Sequence, residues 1–77
     1  MRLKTFIKNE VKNGIVLLTS GDYDYLFIYN SREKIWNCSI YDSKEAEIAN
    51  FYDKELEPVK EITYKNDSEV LEAIKNL

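Results

Sequence analysis

Asp22-Tyr23-Asp24 places two carboxylates two residues apart beside a glycine, the nearest thing in this chain to a metal site or an acid–base pair. A glycosidase-like pair would have to hold its carboxyls about 5–10 Å apart inside a cleft, and the full calcium-loop pattern is absent. Aspartate after glycine is also ordinary turn chemistry. The pattern predicts a solvated turn residue plus an edge-facing aspartate. Cys38 alternates with Trp36 and Ile40 along an expected strand. A nucleophilic cysteine needs a base or a helix N-terminus to hold its thiolate, and the chain contains no histidine. A buried, inert thiol is expected. Asn37-Cys38-Ser39 and Asn66-Asp67-Ser68 match the glycosylation acceptor pattern, but no secretory signal precedes them. Asn66 reads better as a helix cap and Asn37 as a strand residue.

Composition excludes further chemistry. Without histidine there is no imidazole base, no His-bound metal and no histidine pH switch. One cysteine makes neither an internal disulfide nor a thiolate cage. Gly14 and Gly21 cannot form a glycine-rich phosphate cradle. Carboxylates, tyrosines and lysines remain, yet their spacing recommends no reaction, so the chain is read as a non-enzyme without a cofactor. No apolar run approaches the length of about 20 residues that a membrane span needs. The charge-interrupted start Met1–Lys8 does not resemble a signal peptide. A cytoplasmic protein is expected. Lysine outnumbers arginine nine to two, a usage typical of AT-rich genomes and hence of low-GC bacteria and their phages or plasmids.

At 77 residues the chain makes one small domain. Leu3, Phe6, Ile7 and Val11 form a helical stripe over 2–13, with Lys4, Lys8 and Lys12 on a neighbouring face and Asn13-Gly14 as the stop, a strand through 3–8 being the alternative. Ile15–Thr19, Tyr23–Tyr29 and Lys34–Tyr41 read as strands, rich in β-branched and aromatic residues. Gly21-Asp22 is the first hairpin turn, and the second centres on Ser31-Arg32. That register puts Val16, Leu18, Tyr25, Phe27, Trp36 and Cys38 on one face, and Ile15, Leu17, Leu26, Ile28 and Ile35 on the other. A sheet with one wet face should alternate cleanly. Here both faces are apolar, so either helices cover both or one meets a partner. A second helix is expected over 43–52, extending toward Leu56, capped by Asp42 with Glu45 reaching back and ended by Glu57-Pro58. Residues 60–65 read as a short strand or extended edge. Asn66 or Asp67 caps a last helix over 68–76, with Val70, Leu71, Ile74 and Leu77 at helical spacing. The fold class is α+β: an antiparallel meander of three to four strands packed with about three helices.

Charge divides along the chain. Residues 1–41 carry six basic and four acidic side chains, and residues 42–77 carry five and ten. The alternating Tyr23, Tyr25, Phe27 and Tyr29 could stack bases. The flanking Asp22 and Asp24 repel phosphate, so direct nucleic-acid binding is not expected, and part of the stripe should be core. The second half suggests a different partner. Glu45, Glu47, Asp53, Glu55, Glu57, Glu61, Asp67, Glu69 and Glu72 could imitate a phosphate backbone and engage a basic, nucleic-acid-binding protein through fast, salt-sensitive association. The plainer reading is an acidic solvated surface interspersed with Lys44, Lys54, Lys60 and Lys65.

A short, acidic, tyrosine-rich chain with the order helix, three-stranded meander, helices resembles small phage-encoded anti-CRISPR proteins, to which the Val59–Lys65 segment is an addition. The resemblance rests on size, composition and order, and it carries no residue roles. It implies an anti-defence inhibitor that presents acidic side chains to a CRISPR nuclease. The alternative is a small self-associating structural protein, a homodimer through Ile15, Leu17, Leu26, Ile28 and Ile35, since short chains often supplement a limited core by oligomerising.

Overall fold

Gly21, with φ +61°, lets the chain reverse in two residues, because a left-handed turn conformation costs glycine nothing sterically. Ser20 therefore pairs with Tyr23, and the first hairpin is fixed. The computed structural model describes residues 3–52 and 55–77. It has helix α1 (Leu3–Asn13), strands β1 (Ile15–Ser20), β2 (Tyr23–Asn30) and β3 (Ile35–Asp42), helix α2 (Ser43–Tyr52), strand β4 (Lys60–Tyr64) and helix α3 (Asp67–Lys75). The strands form one antiparallel sheet in the order β1-β2-β3-β4. The α+β meander with three helices is thus the observed architecture. Residue 2 of the first expected helix, and Asp53 of the acidic set, lie outside the described residues.

The second turn is longer than its expected Ser31-Arg32 centre. Asn30 pairs with Ile35, leaving four residues between the strands. The Asn30 side-chain oxygen accepts from the Arg32 and Glu33 N–H groups, and Lys34 takes φ +59° to re-enter the sheet. The register accordingly moves by two residues. Side chains alternate with a period of two, so every residue keeps its expected face.

The first face carries the core. Val16, Phe27, Trp36, Cys38 and Ile40 are buried against Val11 of α1 and Val70 of α3, with Ile7, Leu71 and Ile74 packed around them. The side chains of Leu3 and Phe6, expected in the α1 stripe, lie outside the described residues. Gly14 ends α1 at φ +83°. Its N–H donates to the Val11 carbonyl, and its own carbonyl accepts from Tyr29 N–H, which joins the helix to the central hairpin.

Three expectations at helix ends need correction. Asp42 Oδ1 accepts from the N–H groups of Lys44 and Glu45, but among the described residues Glu45 makes no return bond. The reciprocal arrangement occurs at α3 instead: Asn66 caps by accepting from Glu69 N–H, and the Glu69 carboxylate accepts from Lys65 N–H. Helix α2 does not extend to Leu56, because the chain must turn back to the sheet, where Val59 N–H donates to the Ile40 carbonyl. Leu77 lies beyond the end of α3 and is exposed rather than part of its buried stripe.

Candidate interaction surface

Helix α2 lies on the second face of the sheet, opposite α1 and α3. Among the described residues, Ala46 and Ala49 face the sheet, lining a groove with Leu26 and Tyr41; the side chain of Tyr52, expected with them in the apolar surface of this helix, lies outside the described residues. The helix N-terminus is tied down by Asp24, whose Oδ1 accepts from Thr19 Oγ1 and from Ser43 Oγ, both at 2.7 Å. Ser43 N–H also donates to the Asp22 carbonyl. Asp24 thus links β1, β2 and α2. The Asp22–Asp24 pair is part of the scaffold, and no cluster of three potential metal ligands occurs among the described residues.

The helix covers only part of that face. A groove of about 350 Å³ runs between α2 and β1, lined by Leu17, Leu26, Tyr41, Ala46, Ala49 and Leu56, with the Asp24 carboxylate in its wall. Beyond it the sheet is bare: Leu17 is 67% exposed, Ile15 50% and Ile28 44%, while Ile48 on α2 is 53% exposed. Ile15 pairs with Ile28 and Leu17 with Leu26, so these side chains are neighbours on one corner. Of the five residues expected to share this face, Leu26 and Ile35 are half-buried and Ile15, Leu17 and Ile28 are open. The sequence groups Ile48 with Ala46 and Ala49 as apolar surface of this helix, but Ile48 is out of phase with that pair and stays exposed.

Charge differs between the two ends of the sheet, counting Lys12 on α1 and Lys60, which pairs with Ile40 on the first face. Where β1 begins, β2 ends and β3 begins, Lys12, Arg32 and Lys34 are exposed, with Glu33 the one carboxylate of that turn. The other end holds Asp22, Asp24, Asp42, Glu45 and Glu47, offset by Lys44 and Lys60.

The expected acidic surface is divided by the sheet. Glu45 and Glu47 lie on α2 and Glu61 on the same face of β4, across from Ser39. Glu55 and Glu57 lie in the segment leading to β4. Asp67, Glu69 and Glu72 lie on α3, over the first face. All eight are exposed, but they do not converge on one patch. Asp67 is partly engaged, since its Oδ1 accepts from Trp36 Nε1 at 2.9 Å.

The remaining candidates are core or cap. Cys38 is 1% exposed, and burial pushes its thiol up from 9.0 to about 11, away from the thiolate a nucleophile requires. Burial likewise raises the Tyr64 phenol, with Cys38, Glu69 and Tyr25 adding to the effect. The aromatic stripe is split: Phe27 is core, stacked against Tyr64 with ring centroids 6.1 Å apart, while Tyr23 and Tyr29 are exposed. Tyr23 and Tyr25 line a second open groove of about 450 Å³ with Ile40, Val59 and Lys60. Asn37 is exposed on the second face and Asn66 caps α3. No helix among the described residues is long and apolar enough to cross a membrane. The chain matches no protein-family model, no curated protein and no solved structure.

Proposed function

We propose that this chain is a non-enzymatic protein-binding module whose contact surface is the open corner of the second sheet face. The observation that carries this reading is the joint exposure of Ile15, Leu17, Ile28 and Ile48. Their exposed fractions amount to about two whole aliphatic side chains, whose burial is worth roughly 3–6 kcal/mol. A chain this short has little core to spare, and contiguous exposed apolar surface of this kind marks interaction sites. The test is capture of partners by tagged protein from a low-GC bacterial lysate, comparing wild type with Leu17→Asp under a high-salt wash. Discrete proteins held by wild type and lost from the variant support the reading. An identical set on both would refute it.

A second reading places the chain among anti-defence inhibitors of phages or mobile elements, with its carboxylates opposing a basic, nucleic-acid-binding protein such as a CRISPR nuclease. The exposure of all eight described carboxylates supports it, with Asp67 and Glu69 also engaged within the fold. Their separation onto two sides of the sheet makes α2 with Glu61, or α3, the presenting group. DNA cleavage by a Cas nuclease in the presence of the protein tests this reading, at low salt and at about 300 mM, where exposed charges are strongly screened. Inhibition that falls with salt, and that is removed by E45K/E47K or by E69K/E72K, is the expected result. Inhibition insensitive to both reversals, or none at all, would rule it out.

A further inference from the structure

We propose that the occupant of the open corner is a second copy of this chain, docked face to face about a two-fold axis, so that α2 of each copy covers the bare corner of the other. This rests on reading that corner as the contact surface. The dimensions fit. Four strands spaced about 4.8 Å apart make a sheet roughly 19 Å wide, and a helix with its side chains is about 10 Å wide. Helix α2 packs on β2 and β3, so one helix leaves β1 and the Ile15–Ile28 corner open to an element of a facing copy. Helix α2 has the chemistry to fill that corner. Among the described residues, Ala46 and Ala49 of α2 line the groove against its own sheet, and Ile48 is the apolar side chain of that helix left exposed.

The charges agree with a two-fold axis set diagonally across the face, which exchanges the α2 corner of one copy, tied to Asp24, with the Ile15–Ile28 corner of the other. A two-fold interface brings each contact in twice, once in each direction. It lays Glu45 and Glu47 of one copy over the corner flanked by Arg32 and Lys34 of the other, and the reverse. Complementary potentials of this kind fix register and orientation. A partner of strongly acidic or strongly basic character would match one end of the face and repel the other. A second copy matches both. The corner itself, Ile15, Leu17 and Ile28, carries no charge.

Sedimentation velocity on the whole chain, from about 1 to about 200 μM, spans the range of a weak dimer. Wild type is expected to pass from monomer to dimer within it. Leu17→Asp and Ile48→Asp should each weaken association at least tenfold, with far-ultraviolet circular dichroism confirming that the variants fold. The decisive pair uses exposed positions only. R32E/K34E makes both surfaces of a copy acidic, and E45K/E47K makes both basic. Each alone should be monomeric, whereas an equimolar mixture should dimerise, because every contact then joins opposite signs.

A wild-type chain that stays monomeric at the highest concentration overturns the proposal. A dimer that the Leu17→Asp change weakens, but that the charge-swapped mixture does not restore, overturns this two-fold arrangement. The two readings fail separately. A monomeric wild type that still loses its lysate partners on Leu17→Asp leaves the binding module standing with a different occupant. A monomeric wild type indifferent to that change removes both.

Discussion

Replacing Asp67 with alanine should destabilise the fold by about 2 kcal/mol. Trp36 is 1% exposed, and its indole N–H donates to Asp67 Oδ1 at 2.9 Å. Hydrogen bonds to a charged group contribute about 1.5–3 kcal/mol, and a buried donor left without a partner loses its hydration with nothing in exchange. Asp67 is exposed, which favours the low end of that range. It also occupies the first turn of α3, where a carboxylate adds roughly 0.3–1 kcal/mol through the helix dipole. A domain of this length has about 4–12 kcal/mol of stability in all, so the loss is a large share. Thermal unfolding followed at 222 nm should show a midpoint lowered by roughly 8–16 °C. Asp67→Asn keeps a neutral acceptor and should recover about half of the difference. In a Trp36→Phe background, Asp67→Ala should cost only the dipole contribution. The reasoning is refuted if Asp67→Ala unfolds within about 0.5 kcal/mol of wild type, or if its cost is the same with and without the indole.

Cys38 should resist Ellman's reagent in the folded protein and react only as fast as the chain opens. Its thiol pKa rises on folding from 9.0 to about 11, so the stabilisation from keeping it protonated is complete below about pH 9 and is lost as pH climbs toward 11. Urea titrations at pH 8 and about pH 10.5 should show a steeper alkaline loss for wild type than for Cys38→Ala. Asn66→Ala removes the acceptor for Glu69 N–H and should cost about 1 kcal/mol in the same titration at neutral pH. Gly14→Ala should cost about 1 kcal/mol through its φ of +83°. Steric overlap adds little, since the new Cβ would meet Tyr29 Cβ at an ordinary 3.5 Å.

The faces of the sheet were legible in the sequence because alternation survives an even shift of register. Misplacing the second turn by two residues left Trp36 and Cys38 on the core side and Ile28 and Ile35 on the other. The α3 start was legible to within one residue, Asn66 or Asp67, whereas the reciprocal bond to Glu69 was expected at Asp42 and Glu45 instead. The course of α2 was less so. Nothing local distinguishes a helix laid over the Leu26–Tyr41 side from one joining α1 and α3. What decides it is a tertiary tie, Asp24 accepting from Ser43, which is invisible before the hairpin exists. For the same reason the acidic residues looked like one surface along the chain, although α2 and α3 carry them to opposite sides of the sheet.

The strand order repeats the chain order, and this has a consequence for truncation. Through Tyr52 the chain contains β1 to β3 and the Asp24–Ser43 tie, so three strands and the second-face helix can assemble from neighbouring segments. The first face cannot close without the rest. Val70, 0% exposed in the core, belongs to α3, as does the Asp67 acceptor that engages Trp36. A chain cut before residue 67 leaves Trp36, Phe27 and Cys38 without that helix, and would offer their apolar surface to chaperones.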